Sequence, residues 1–121
     1  MSETEGQIPH HERTLCYIAG PYTVPDPIEN IHDAVLIAEE LQHSGWVTCV
    51  VPHLNFGWHM ICCHPADYWY SYDLAFLARS DCLLRIPGDS VGADKEVEFA
   101  EERGIPVFHK VVDVVAWAMS G

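Results

Sequence analysis

The segment Asp89 to Ala100 reads D-S-V-G-A-D-K-E-V-E-F-A and brings a hydroxyl (Ser90), a small turn residue (Gly92) and an acid (Glu96) within seven positions. It follows an apolar run, Cys82-Leu83-Leu84-Arg85-Ile86, and a Pro87-Gly88 turn, and it leads into a helix that begins near Ala93. The three residues therefore meet where the carboxyl end of a strand joins the amino end of a helix. An open α/β sheet binds its ligand at that kind of position. A carboxylate held there is kept ionised by the helix start and can act as a nucleophile toward a sugar carbon. Plainer readings stand beside this one. Glu96 fits a first-turn acid favoured by the helix dipole, in a stretch that also carries Glu98, Glu101 and Glu102. Ser90 fits an N-cap, with Asp89 as its competitor.

The elements that must position these residues are legible in the pattern. Leu15 to Ala19 is a short apolar run closed by Gly20-Pro21 and reads as the first strand. The stretch Pro21 to Pro27 holds three prolines and cannot be helical. Ile28, Ile31, Val35, Ala38 and Leu41 recur at helical spacing, which predicts an amphipathic helix capped by Asp26 or Asn30 and ended by Ser44-Gly45. Trp46 to Val51 reads as the second strand, stopped by Pro52. Pro52 to Pro65 has no clear period, and a loop of that length in a small domain is usually functional or a lid. Ala66 to Ser80 reads as a helix with Trp69, Tyr72, Phe76 and Leu77 on one face. Asp81 to Ile86 is the third strand, Ala93 to Arg103 a helix ended by Gly104, Ile105 to Phe108 the fourth strand, and Val111 to Met119 a last helix. Continuous apolar strands alternating with helices predict an α/β fold, a flavodoxin- or Rossmann-like three-layer α/β/α sandwich. Right-handed crossovers give a parallel sheet of four or five strands in the order 2-1-3-4, with or without a fifth at the edge.

In that order the carboxyl ends of the first and third strands adjoin. The first brings Tyr17, Gly20 and Tyr22, the third brings Gly88, Ser90 and Gly92, and the helix before the third strand brings Asp73. A phenol and two acids around one cleft suit glycosidic chemistry. One carboxylate attacks an oxocarbenium-like centre, a second acid handles protons or hydroxyls, and the phenol orients the nucleophile. Asp73 reads equally as a solvated mid-helix charge, Tyr17 as a core aromatic, Tyr22 as an exposed loop aromatic, and Gly20 and Gly92 as turn glycines.

Composition bounds the classes. The chain has 121 residues, enough for one domain with a real core over residues 13–121, preceded by a polar stretch, 1–12, that reads as a disordered tail. A net charge of −12 argues against a surface for a nucleic-acid polymer. No apolar run has membrane-spanning length and no signal-peptide pattern is present. Five cysteines, three of them inside strand-like runs, argue for free thiols and a reducing, cytoplasmic setting. His59, Cys62, Cys63 and His64 include an H-x-x-C spacing, but adjacent ligands suit one tetrahedral ion poorly and no second paired half exists. We therefore expect no metal there, and a loop laid over the pocket instead.

Four features in order resemble the nucleoside 2-deoxyribosyltransferase superfamily, including its 2'-deoxynucleoside 5'-monophosphate N-hydrolases. They are Y-I-A-G (Tyr17 to Gly20), D-L-A-F-L-A-R-S-D (Asp73 to Asp81), S-V-G-A-D-K-E (Ser90 to Glu96) and G-I-P-V-F (Gly104 to Phe108). The resemblance implies cleavage of an N-glycosidic bond in a nucleoside or nucleoside 5'-monophosphate through a covalent glycosyl-Glu96 intermediate, as hydrolase or transferase and with no cofactor. It implies that Tyr17 positions Glu96, that Asp73 contacts the sugar hydroxyl or the base, and that Ser90 meets the 5' group. A Ser at that position resembles the monophosphate hydrolases, whereas the loop Pro21-Tyr22-Thr23-Val24-Pro25 lacks the cation those enzymes carry. The resemblance also implies a homodimer or higher homo-oligomer. The competing expectation is a non-catalytic nucleotide-binding module of the same fold.

Overall fold

A computed structural model describes residues 8–121. Four strands, β1 (Thr14–Ala19), β2 (Val47–Val50), β3 (Cys82–Arg85) and β4 (Val107–Phe108), form one parallel sheet in the order β2-β1-β3-β4. No fifth strand is present among the described residues. Five helices surround it: α1 (Pro27–His43), α2 (Asn55–Ile61), α3 (Ala66–Leu77), α4 (Val91–Glu102) and α5 (Val111–Ser120).

The strands are mostly apolar because both faces of the sheet are covered. Alternate residues of β1 go to opposite sides. Cys16 and Ile18 pack with Ala34 and Leu41 of α1 and Val114 and Ala118 of α5. Tyr17 and Ala19 pack with Leu77 of α3 and with Ala93 and Ala100 of α4. The two cores make the three layers, and the small residues on α4 let that helix lie close to the sheet. The register pairs Tyr17 with Leu83 and Ala19 with Arg85, so β1 and β3 end side by side. Cys16 stands opposite both Cys49 and Cys82, and all five cysteines are free thiols.

Asp26, not Asn30, caps α1: its Oδ1 accepts from the Ile28 amide at 2.9 Å, with Pro27 pre-set at the first helical position. Asn30 instead donates to the carbonyls of Tyr22 (2.9 Å) and Val24 (3.0 Å), which ties down the proline-rich loop. The buried stripe of α1 is Ala34, Ala38 and Leu41, while Ile28 at its start is 60% exposed.

Two expectations are corrected. The stretch after β2 is not an irregular loop. Pro52–Leu54 form a 3-10 turn and Asn55–Ile61 form α2, none of whose residues is buried, which is why no apolar period marked it. The polar amino-terminal stretch is not featureless to residue 12. His10–Glu12 form a 3-10 turn, and Arg13 Nε donates to the Ile8 carbonyl at 2.7 Å; residues 1–7 of the expected tail lie outside the described residues.

The turn after β3 depends on Gly88. Its φ is +124°, and a Cβ built there would sit 2.7 Å from Pro21 Cγ. We expect Gly88→Ala to lower stability by about 1–3 kcal/mol, from backbone strain and the collision together. Urea unfolding measures this, and an unchanged midpoint would contradict the tight approach of the two loops.

Candidate active site

The adjoining ends of β1 and β3 open into a cavity of about 330 Å³. That lies within the size range of small-molecule sites. Its floor comes from Ile18, Gly20 and the first turns of α4, and its walls from α2, α3 and the loop after β1.

Glu96 lies on α4 and is 8% exposed. The cap on that helix is Ser90, whose Oγ accepts from the Ala93 amide at 3.0 Å, and this sets the helical phase that turns Glu96 inward. Tyr17, fully buried on β1, donates its hydroxyl to Glu96 Oε2 at 2.5 Å. Seventy-nine positions apart in sequence, the two are joined because α4 packs on the face of β1 that carries Tyr17. Asp73, half-buried on α3, accepts from Asn55 Nδ2 at 2.7 Å through Oδ1.

Burial governs the ionisation of both acids. Loss of water pushes Glu96 up to about 7. The Tyr17 hydroxyl and the Arg85 charge pull against this, and the Asp73 charge adds to it. Asp73 is likewise pushed up to about 7 by burial, offset by the Asn55 amide. The Tyr17 phenol is raised far above its ordinary value by burial and then by the charge of Glu96, so it stays a proton donor. Two carboxyls that titrate near neutrality in one cavity can hold one proton between them. One can then be ionised while the other keeps its proton, an arrangement able to supply both a nucleophile and an acid.

Both carboxyls hold their protons more tightly folded than unfolded, from ordinary values of 4.5 and 3.8 to about 7. Their contribution is therefore fully present in acid and is lost as pH rises through about 7. Glu96→Gln, which still accepts from Tyr17, should raise Tm by a few degrees at pH 8 and change it little at pH 5. A thermal melt at the two pH values checks this; an equal change at both would contradict a buried, strained carboxylate.

Of the residues singled out in sequence, Glu96, Asp73, Gly20, Tyr22, Ser90 and Gly92 line the cavity. Tyr17 lies behind Glu96 and reaches the site only through its hydroxyl. Gly88 does not line it. It stands behind the loop against Pro21, so its place is in shaping the turn rather than at a ligand. Asn55, Trp69 and Tyr70 line the cavity unanticipated. Trp69 was expected on a helix face, and helical period says which residues share a face but not whether that face is covered. For Asn55 the sequence offers no signal beyond its place in the stretch after Pro52.

His53 and His59, noted in that stretch, also line the cavity. His53 is 4% exposed and donates from Nε2 to the Pro21 carbonyl at 3.1 Å, and burial pushes its pKa below the ordinary imidazole value. His59 Nδ1 accepts from the Trp69 indole at 2.9 Å and the His64 amide at 3.2 Å, while Cys63 Sγ lies 3.5 Å from its Nε2. These bonds fix the ring edge-on to Trp69, with ring centroids 6.0 Å apart. Among the described residues no group of three or more His, Cys, Asp and Glu side chains is arranged to hold a metal ion, and no helix is long and apolar enough to cross a membrane.

No family model and no curated protein matches the chain. Solved structures do. A 2-deoxyribosyltransferase from the psychrotolerant bacterium Bacillus psychrosaccharolyticus superposes with a TM-score of 0.55 at 20% identity, covering 78% of this chain and 69% of that one. A conserved protein from Enterococcus faecalis V583 superposes with a TM-score of 0.60 at 20% identity, covering 78% of this chain and 61% of that one. The chain thus has the three-layer α/β fold found in a 2-deoxyribosyltransferase. It spans less than two thirds of the Enterococcus protein.

Proposed function

We propose that this protein cleaves the N-glycosidic bond of a 2'-deoxynucleoside through a covalent deoxyribosyl-Glu96 intermediate. The observation that carries the reading is the buried Tyr17 hydroxyl bound to Glu96 at 2.5 Å in a cavity that also holds Asp73. A buried acid on a core-facing helix position costs stability, and such acids cluster at functional sites. In the proposed mechanism the ionised Glu96 attacks the anomeric carbon, with Tyr17 holding the carboxylate in line. The C–N bond breaks as the Asp73 carboxyl gives its proton to the departing base. Asn55 fixes which Asp73 oxygen carries that proton. Water or a second base, activated by the same Asp73, then attacks the glycosyl ester and frees Glu96. The aromatic wall of Tyr22, Trp69 and Tyr70 offers flat faces against which a base can stack.

Within the nucleoside and nucleotide classes, the reading takes the uncharged nucleoside. The chain has six lysines and arginines. Arg13 donates to the carbonyls of Ile8, Gln42 and Val47 at the far end of β1, and Arg79 to that of Ala75 at the end of α3. Arg85 is bound to two carbonyls and Asp94, Arg103 lies over the Phe99 ring, and Lys95 and Lys110 are exposed. None of the six lines the cavity, whereas two carboxyls do. Ser90 then suits a 5'-hydroxyl.

The test is a panel of 2'-deoxynucleosides and their 5'-monophosphates, with and without an acceptor base, followed by chromatography. Release of free base alone means hydrolysis, and a new nucleoside means transfer. Binding without any turnover would replace the reading with the non-catalytic module. Self-association, implied by the family resemblance, belongs to the same proposal and is measured by light scattering on the same preparation.

A further inference from the structure

The turn that leads into α4 is organised by a single guanidinium. Arg85 is the last residue of β3, and its side chain is only 11% exposed. Its Nη1 donates to the Ile86 carbonyl, and its Nη2 donates to the Gly88 carbonyl at 2.9 Å and to Asp94 Oδ1 at 3.0 Å. Ile86 and Gly88 belong to the turn, while Asp94 belongs to the first turns of α4. The cation therefore braces both sides of the short span that contains Ser90 and Gly92. From the other side, Pro21 abuts Gly88 where a Cβ would be. Glu96 stands on the same helix six residues beyond its cap.

The titratable groups that face Glu96 come from three elements: β1 brings the Tyr17 hydroxyl, α3 brings Asp73 and the Tyr70 phenol, and β3 brings Arg85. Arg85 is the positive one among them. It is not in the cavity lining, so it acts through Glu96 and the turn and not on a ligand.

We propose that Arg85 and Asp94 form a positioning pair for Glu96. Arg85 clamps the turn before α4 and supplies the positive potential that favours the ionised carboxylate, and Asp94 locks the guanidinium in place and tempers that potential. The planar fork is needed, because an ammonium presents its donors from one point and cannot meet two carbonyls and a carboxylate in this geometry. The role of Glu96 as the reacting acid rests on the proposed function; its ionisation does not.

The test therefore reads Glu96 itself. Carboxyl carbon-13 NMR follows its titration in protein labelled at Glu Cδ, with Glu96→Gln to assign the signal, alongside kcat/KM against pH. Arg85→Met should move the Glu96 midpoint and the acid limb of kcat/KM upward by about half to one pH unit, and should lower kcat at the optimum about tenfold or more. Asp94→Asn should move the midpoint the opposite way by a smaller amount, since it removes a negative charge and leaves the guanidinium. Simple loosening of the loop gives no such opposition of sign. Arg85→Lys should keep most of the midpoint but lose kcat, separating charge from clamp. If Arg85→Met folds with an unmoved midpoint and kcat/KM within twofold of the parent, the proposal is overturned. If that variant fails to fold, an unmoved midpoint in Asp94→Asn together with parental kcat in Arg85→Lys overturns it equally. A parent protein without glycosidic activity would sink the proposed function and leave the titration as the test of the pair.

Discussion

Glu96→Ala is expected to lower kcat/KM for a 2'-deoxynucleoside by at least about 1,000-fold, since removal of a covalent nucleophile commonly costs that much or more. Glu96→Gln should fall as far, and it is the cleaner variant. Its amide oxygen still accepts from the Tyr17 hydroxyl, so the 2.5 Å contact has a replacement and the packing of α4 on β1 is kept. The expected pH behaviour fits the same assignment. With Glu96 and Asp73 both pushed to about 7, the active form carries one ionised and one protonated carboxyl. Activity should then peak near neutral pH and fall on both sides, with apparent values that belong to the pair. Steady-state rates on protein whose melting is checked at the same pH decide this. Turnover by Glu96→Gln within tenfold of the parent would remove the nucleophile assignment.

A 2'-deoxynucleoside should be used with kcat/KM about 100-fold above that of its own 5'-monophosphate, the size of effect expected when a dianion enters a cavity lined by two carboxyls and by no lysine or arginine. Ser90 does not reverse this. Its Oγ already accepts from the Ala93 amide, and what remains is one hydroxyl proton and the start of one helix. Thr23, exposed at the rim of the cavity in the loop after β1, provides the converse experiment. Thr23→Arg should narrow the preference about tenfold by improving the monophosphate alone. Competition between the two substrates in one vessel measures the ratio, and a preference for the monophosphate by the parent protein would contradict the charge argument.

Much of this site is legible in the sequence. β1 and β3 announce themselves as apolar runs because both faces of each strand are buried, and strands alternating with helical crossovers suit the order 2-1-3-4 that the sheet has. That order puts Tyr17 and the segment from Ser90 to Glu96 side by side. What could not be read depends on coverage and side-chain reach. α2 was invisible because it is seven residues long, contains Gly57 and buries nothing. Asn55 was missed with it, since its tie to Asp73 joins two helices whose relative placement no local pattern encodes. Arg85 stands in the sequence as one member of the run Cys82 to Ile86, and its three acceptors are fixed only once the turn closes. Gly88 was placed at a ligand because of its neighbours, whereas its positive φ and the approach of Pro21 account for it.

The central claim is a bond between Glu96 and a sugar. The most direct measurement is peptide mapping by mass spectrometry after rapid acid quench, using a slow 2'-fluoro-2'-deoxynucleoside to let the intermediate accumulate. The account predicts one added fluorodeoxyribosyl unit on the peptide that contains Glu96, absent from Glu96→Gln. Release of base from the analogue with that peptide unmodified throughout, or modification of another residue, would contradict it.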